Sequence, residues 1–143
     1  MKKVFFIFFF FFSTNSYAYN FKESIESYKK KNTGTVSDIY VFNRCSAVFA
    51  WWGGMLSNEP KTKIEANMYK KISENMLVRA TVVHKNYFKG SYDTSMKENN
   101  KRFRTLVTYY FEDGKENFLK NGDHFTGNIR DDVIFCSLLE KEF

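Results

Sequence analysis

The feature that most constrains this fold is an apolar stripe at helical spacing within residues 35–56. Its positions recur at intervals of 3-4-3-4-3, and they are Ile39, Phe42, Ser46, Phe49, Gly53 and Leu56. Because an α-helix turns once in about 3.6 residues, this period places all of them on one face. Cys45 and Trp52 flank the stripe. The pattern therefore predicts a helix whose apolar face is broad enough to pack against two neighbouring helices.

Four further segments carry a similar periodicity and are separated by Gly, Pro and Asn breakers. The first spans residues 19–31 and the last spans residues 128–143. The helix after Pro60 is predicted to bury Ile64, Met68, Ile72, Met76, Ala80, Val83 and Tyr87. The helix within residues 91–119, interrupted at Gly114, is predicted to bury Phe103, Leu106, Val107, Tyr110 and Phe111. About five amphipathic helices with short connections predict an all-α fold, a compact bundle.

The N-terminus has the three-part pattern of a secretory signal peptide. A pair of lysines precedes an apolar run at residues 4–12, and the small residues Ser16 and Ala18 occupy the −3 and −1 positions of a cleavage site. This run is too short for a membrane anchor, which needs about 20 apolar residues. We therefore expect residues 1–18 to be removed and residues 19–143 to form a single helical domain without a transmembrane span. The short, Phe-rich signal, together with 15 Lys against 5 Arg and frequent Asn in residues 19–143, looks bacterial, so the expected destination is the periplasm or the exterior.

Loss of the signal peptide lowers the positive charge of the chain. The whole sequence has 22 basic and 16 acidic side chains, whereas residues 19–143 keep 20 basic and 16 acidic ones, for a net charge of +4. The basic residues gather near Lys31, near Lys70 and near Lys101. We interpret these clusters as solvated helix faces, with contact of the third to an anionic surface as the alternative. Export argues against nucleic acid as a partner.

Cys45 and Cys136 are the only cysteines of the chain, and both lie on predicted apolar helix faces. In an exported protein, two cysteines predict one disulfide; the alternative is a pair of buried free thiols. The bond would hold the second helix against the last one. Its geometry requires the two Cα atoms to lie within about 7 Å of each other.

Trp51, Trp52, Gly53 and Gly54 form the candidate binding surface. Adjacent helical residues point about 100° apart, so the two tryptophans cannot face the same neighbour. We expect Trp52 on the buried stripe, and Trp51 either beneath the first or fourth helix or exposed as part of a binding edge. The glycine pair also predicts a kink or an early end of the helix.

His84, His124 and Met76 are candidate ligands for a metal or a haem, with Met68 on the same predicted helix as Met76. Eight-residue steps rotate about 80° around a helix, so Met68, Met76 and His84 do not share one strict face. Methionine at helical spacing usually fills a core. Asp123 and His124 match a fragment of an acid–base site, but a solvent-exposed turn explains this pair better.

The sequence contains no nucleotide-binding loop, nucleophile elbow, zinc-protease motif or haem-attachment motif. We therefore predict a small exported helical binding protein that is not an enzyme and carries no cofactor. Its expected partner is a protein, an envelope component or an apolar ligand. A periplasmic metal- or haem-binding bundle with His and Met ligands is the alternative.

Overall fold

The computed structural model describes residues 21–143, so the predicted signal peptide lies outside the described residues. Five α-helices occur in this range: α1 (Ile25–Lys31), α2 (Thr35–Leu56), α3 (Lys63–Phe88), α4 (Tyr92–Asn121) and α5 (Gly127–Glu140). A short 3-10 turn, Pro60–Thr62, links α2 to α3, and no strand occurs among these residues. The predicted all-α class and the number of helices are confirmed. Within the same range, no helix combines the length and the hydrophobicity needed to cross a bilayer.

The central helix is α2, which contacts each of the other four helices. The chain reverses after α2, so α3 runs antiparallel to it, and Ser46 Oγ donates a hydrogen bond to the Ser73 carbonyl oxygen at 2.8 Å. A second reversal brings α4 beside α2 in the same direction, where Asn43 Nδ2 donates to Asn99 Oδ1 at 2.6 Å. The turn between α3 and α4 therefore lies at the opposite end of the bundle from Leu56.

Cys45 and Cys136 form the predicted disulfide, which joins α2 to α5 with the two Cα atoms 5.4 Å apart. Both cysteines are buried, and no cysteine within residues 21–143 is free. The bond spans 91 residues of sequence. Closing a loop of that length stabilises the folded protein by up to about 4.7 kcal/mol in the chain-entropy account, and measured effects are typically about 2–4 kcal/mol. A structural disulfide is consistent with the predicted export, because such bonds persist in oxidising compartments.

The buried face of α3 differs from the predicted one. Ile64 is 85% exposed, and Met68 and Tyr87 are exposed as well. The side chains that α3 buries are Ala66, Ser73, Met76, Ala80, Thr81 and His84. The predicted positions advance mainly in steps of four residues, and each step rotates about 40° beyond a full turn. Three such steps place Met76 about 120° around the helix from Ile64, so the two cannot share a buried face.

The helix α4 is continuous through Gly114, so the predicted interruption is wrong. A Cβ at Gly114 would lie 2.7 Å from Cζ2 of Trp51, which means that glycine permits α4 to pack directly on the indole. The predicted core face is also partly wrong, because Phe111 is 58% exposed. The first half of α4 instead buries the polar side chains of Ser95 and Asn99. Because Ser95 and Asn99 are polar, the sequence of this segment is typical of a solvent-exposed helix although these two side chains are buried.

Candidate functional site: the groove between α2 and α4

A buried ion pair joins α2 to α5 in the middle of the bundle. Arg44 Nη2 lies 2.7 Å from Asp132 Oδ2, and neither side chain is exposed. The Tyr110 hydroxyl donates to Asp132 Oδ2 at 2.6 Å and accepts from Arg44 Nε at 3.1 Å. Arg44 Nη1 donates to the Tyr40 hydroxyl at 3.1 Å, and the Ile25 N–H donates to Asp132 Oδ1 at 2.6 Å. This polar network fixes the positions of α1, α2, α4 and α5 around one point.

Burial governs the pKa values in this network. It raises the pKa of Tyr40 to about 12 and holds the pKa of Tyr110 well above its ordinary value, although Arg44 opposes both shifts. Burial likewise raises the pKa of Asp132, against the opposing effect of Arg44. For Arg44 itself, burial lowers the pKa, but Tyr110, Asp132 and Tyr40 outweigh it and the net shift is upward. Both phenols therefore stay protonated at neutral pH and can donate hydrogen bonds.

Aromatic rings fill the core at the C-terminal end of α2. Trp51 is only 5% exposed, and its ring centroid lies 5.2 Å from that of Phe125 and 6.5 Å from that of Tyr110. Trp52 is half-buried; it stacks on Tyr69 at 4.4 Å and meets Phe125 edge-on at 4.9 Å. Trp51 thus lies beneath α4, which is one of the two predicted positions, and it is the more buried of the two tryptophans.

Gly53 and Gly54 have different surroundings, and α2 continues through both of them to Leu56 without an early end. A Cβ at Gly53 would lie 3.0 Å from the Ala66 carbonyl oxygen, so the close approach of α3 requires a glycine there. A Cβ at Gly54 would meet no heavy atom within 4 Å, and its φ is not in the left-handed region. Neither packing nor backbone conformation therefore explains why residue 54 is a glycine. Alanine at this position of the helix would be more favourable by about 1 kcal/mol.

A surface groove of about 270 Å³ lies beside Gly54, between the end of α2 and the middle of α4. The residues that line this α2–α4 groove are Ala50, Trp51, Gly54, Met55, Asn58, Val107 and Phe111. None of them is charged, and all but Asn58 are apolar or aromatic. The predicted binding surface therefore contributes Trp51 and Gly54 to the groove, whereas Trp52 and Gly53 contact α3.

The second wall of the groove comes from α4, and sequence reasoning missed it. Val107 and Phe111 are four residues apart, as expected for neighbours on one helix face, and both were predicted as core residues. The rotation of α4 against α2 decides whether such a pair is buried or lines an opening. That rotation depends on contacts between distant segments, such as the one between Gly114 and Trp51. The only local signal is the apolar pair itself.

Each candidate metal ligand has a partner or a core position within the protein. His84 Nδ1 lies 3.0 Å from Ser95 Oγ, and burial lowers the pKa of His84. His124 Nδ1 lies 3.0 Å from the Gly114 carbonyl oxygen, at the other end of the bundle. Met76 is buried in the core. Within residues 21–143, no three His, Cys, Asp or Glu side chains are grouped in a way that could hold a metal ion.

Asp123 and His124 point to different partners. Asp123 Oδ1 accepts a hydrogen bond from the Phe125 N–H at 2.8 Å, which is typical of an aspartate that stabilises a turn. His124 stacks on the ring of Phe118, with centroids 4.5 Å apart. This geometry matches the interpretation of these two residues as part of a turn.

No known protein family, no curated protein and no solved structure matches the chain. The functional inference therefore depends on the chemistry of the α2–α4 groove. An uncharged groove with apolar walls favours the binding of an apolar group. Removing that group from water would supply most of the free energy of binding.

Proposed function

We propose that this chain is a small exported helical binding protein whose α2–α4 groove receives one apolar side chain of a partner protein. The observation that carries the proposal is the groove itself, with its apolar walls and the buried indole of Trp51 on one side. Protein interfaces commonly place an apolar anchor of one partner in a pocket of the other. The signal-peptide pattern and the disulfide support the export part of the proposal.

The size of the groove favours a side chain over a free small molecule. Ligand pockets usually enclose about 300–1,000 Å³ and cover most of the ligand. The α2–α4 groove is a surface depression of about 270 Å³ that opens to solvent beside the exposed ring of Phe111, so it would cover only part of a free ligand. A single aromatic or branched aliphatic side chain suits such a space. The remainder of the partner would then lie across the outer surface of α4.

Gly54 supports the assignment because it leaves the groove free of a side chain from α2. A Cβ there would have no neighbour within 4 Å, so any larger residue would extend into open space beside Trp51. Alanine would give a more stable helix at the same position. A glycine that the fold does not require is the expected residue where an occupant from outside needs the space.

Titration with N-acetylphenylalanine amide and N-acetylleucine amide, followed by two-dimensional NMR, tests the proposal. Each compound presents one apolar side chain. We expect saturable shifts at the resonances of Ala50, Trp51 and Val107, three residues that line the groove. Burial of one such side chain contributes about 2–3 kcal/mol, which corresponds to dissociation constants of about 5–30 mM.

Gly54→Leu is the decisive variant, because its side chain would occupy the groove. We expect this substitution to abolish the shifts and to leave the rest of the spectrum unchanged. Lys71→Leu is the matched control, since it adds a leucine at an exposed position of α3 and leaves the groove unchanged. Shifts that persist in Gly54→Leu, or that are lost equally in Lys71→Leu, would contradict the proposal.

A further inference from the structure

The net charge of the described residues is concentrated at one end of the bundle. Residues 84–104, here called the hairpin end, complete α3, form the turn and begin α4. Six basic side chains lie there against two acidic ones, for a net charge of +4. The six are Lys85, Lys89, Lys97, Lys101, Arg102 and Arg104. Residues 21–143 as a whole also have a net charge of +4, so the described residues outside the hairpin end are neutral as a set.

The basic side chains of the hairpin end differ from those of α1 in their pairing. Each of the three lysines that end α1 lies 2.5–2.9 Å from a carboxylate oxygen of the protein. Among residues 21–143, none of the ion pairs within 4.0 Å includes a basic side chain of the hairpin end. The cations of the hairpin end can therefore meet an external anion without breaking an internal ion pair.

Exposed aromatic side chains accompany these cations. Tyr87, Phe88 and Tyr92 flank the turn between α3 and α4, and each has between 40% and 53% of its surface exposed. Lys89, within the turn, has a φ of 53°. This left-handed conformation at the end of a helix is usually adopted by glycine. An exposed cation thus lies next in sequence to exposed rings, at a position where glycine would be the less strained residue.

We propose that the hairpin end binds the surface of a bilayer that contains anionic phospholipids. Each lysine or arginine near such a surface contributes about 1 kcal/mol of attraction. Tyrosine and phenylalanine rings enter the boundary between headgroups and acyl chains. The cations would also attract an acidic protein, but the exposed rings beside Lys89 favour the bilayer. No residue of the hairpin end lines the α2–α4 groove, and the turn between α3 and α4 lies at the opposite end of the bundle from Gly54, so the two proposals are independent.

Flotation of the exported, disulfide-bonded protein with phospholipid vesicles tests this inference. One set of vesicles contains phosphatidylcholine alone, and the other contains about one-third phosphatidylglycerol. We expect binding to the anionic vesicles, weaker binding as the salt concentration rises, and little binding to the neutral ones. Equal binding to both sets, or binding to neither, would overturn the proposal.

Lys89→Gly separates lipid binding from folding. Glycine suits the left-handed turn, so the thermal stability should be equal or higher, while the affinity for anionic vesicles should fall about fivefold with the loss of one cation. Tyr87→Ser should weaken binding without changing the charge. Lys61→Gln is the matched control, because Lys61 is exposed at the other end of the bundle, and its effect should be less than about twofold.

Three further outcomes decide between explanations. An equal loss in Lys61→Gln and Lys89→Gly would show that only the total charge matters, which would overturn the assignment to the hairpin end. Binding to poly-glutamate with no binding to anionic vesicles would assign the surface to an acidic polypeptide and overturn the lipid proposal. Gly54→Leu should leave vesicle binding unchanged, so that failure of either proposal can be recognised separately.

Discussion

The core of this bundle has two halves that are held together in different ways. Around Arg44, the helices meet through an ion pair, phenol hydroxyls and the Asn43–Asn99 amide pair. Beyond Phe49, α2 meets its neighbours through aromatic rings and through glycines that allow close approach. The polar half requires specific partners, since an unpaired buried charge is costly, whereas the aromatic half leaves room for an opening. The arrangement of the helices and the candidate binding surface thus depend on separate parts of one core.

Breaking the ion pair of the polar half should have the largest effect. Asp132→Asn leaves the buried charge of Arg44 without a counter-ion, so we expect the free energy of unfolding to fall by about 3–5 kcal/mol. Combining it with Arg44→Met removes both charges, and the double variant should be less destabilised than the sum of the two single variants. Urea denaturation measures all three. Single effects below about 1 kcal/mol, or strict additivity, would show that the pair is not coupled.

The disulfide joins α2 to α5 at Cys45, next to Arg44, and its removal should have the next largest effect. We expect Cys45→Ala with Cys136→Ala to lower the free energy of unfolding by about 2–4 kcal/mol, because the unfolded chain regains the freedom of a loop spanning 91 residues. Urea denaturation of the natural chain with and without a reducing agent should give the same difference. The double variant should not respond to the reducing agent. If the stability of the natural chain also did not change with the reducing agent, the disulfide would not have the stabilising role assigned to it.

The polar half should also lose stability at alkaline pH. Burial raises the pKa of Tyr40 to about 12 in the folded state, against about 10 in the unfolded chain. Between pH 10 and pH 12, roughly, the Tyr40 hydroxyl loses its proton in the unfolded chain but keeps it in the folded protein. The contribution to stability is therefore complete below a pH of about 10 and is lost as the pH rises toward about 12. Over that window the loss should reach about 2–3 kcal/mol. Denaturation across this range should show a shallower decline for Tyr40→Phe; an unchanged decline would be evidence against the shift.

The aromatic half should respond to smaller changes of shape. A Cβ at Gly114 would lie 2.7 Å from Cζ2 of Trp51, so Gly114→Ala should destabilise the protein by about 1–3 kcal/mol through overpacking. Differential scanning calorimetry should detect the lower melting temperature. A neutral or stabilising effect would mean that α4 does not pack closely on Trp51.

The sequence predicts those features that depend on local periodicity and on compartment. The apolar stripe of residues 35–56 identifies the range of α2, because it is long and flanked by residues that favour turns, although the early end that the glycine pair suggested does not occur. The pairing of Cys45 with Cys136 follows from their number and from the predicted export. The rotation of α3 could not be predicted, since small residues such as Ala66 face α2 while the larger Ile64 is exposed.

The polar half of the core could not be predicted in detail, because its partners are far apart in the sequence. Arg44 is the only charged residue within residues 39–58, and an isolated charge in an apolar helix is a signal of burial. Asp132 gives no such signal, because it is one of three consecutive charged residues, Arg130 to Asp132, and so looks like part of a solvated face. One wall of the α2–α4 groove could be named from Trp51 and Gly54, whereas the other depends on the packing of α4.

The free energy of unfolding of Gly54→Ala tests most directly whether Gly54 serves binding rather than folding. A Cβ at this position would meet no heavy atom within 4 Å, and alanine is the better helix former. We expect the variant to be more stable than the natural chain by up to about 1 kcal/mol in urea denaturation, a smaller effect than those above and opposite to them in sign. A loss of stability would contradict this account, because it would mean that the fold itself requires the glycine.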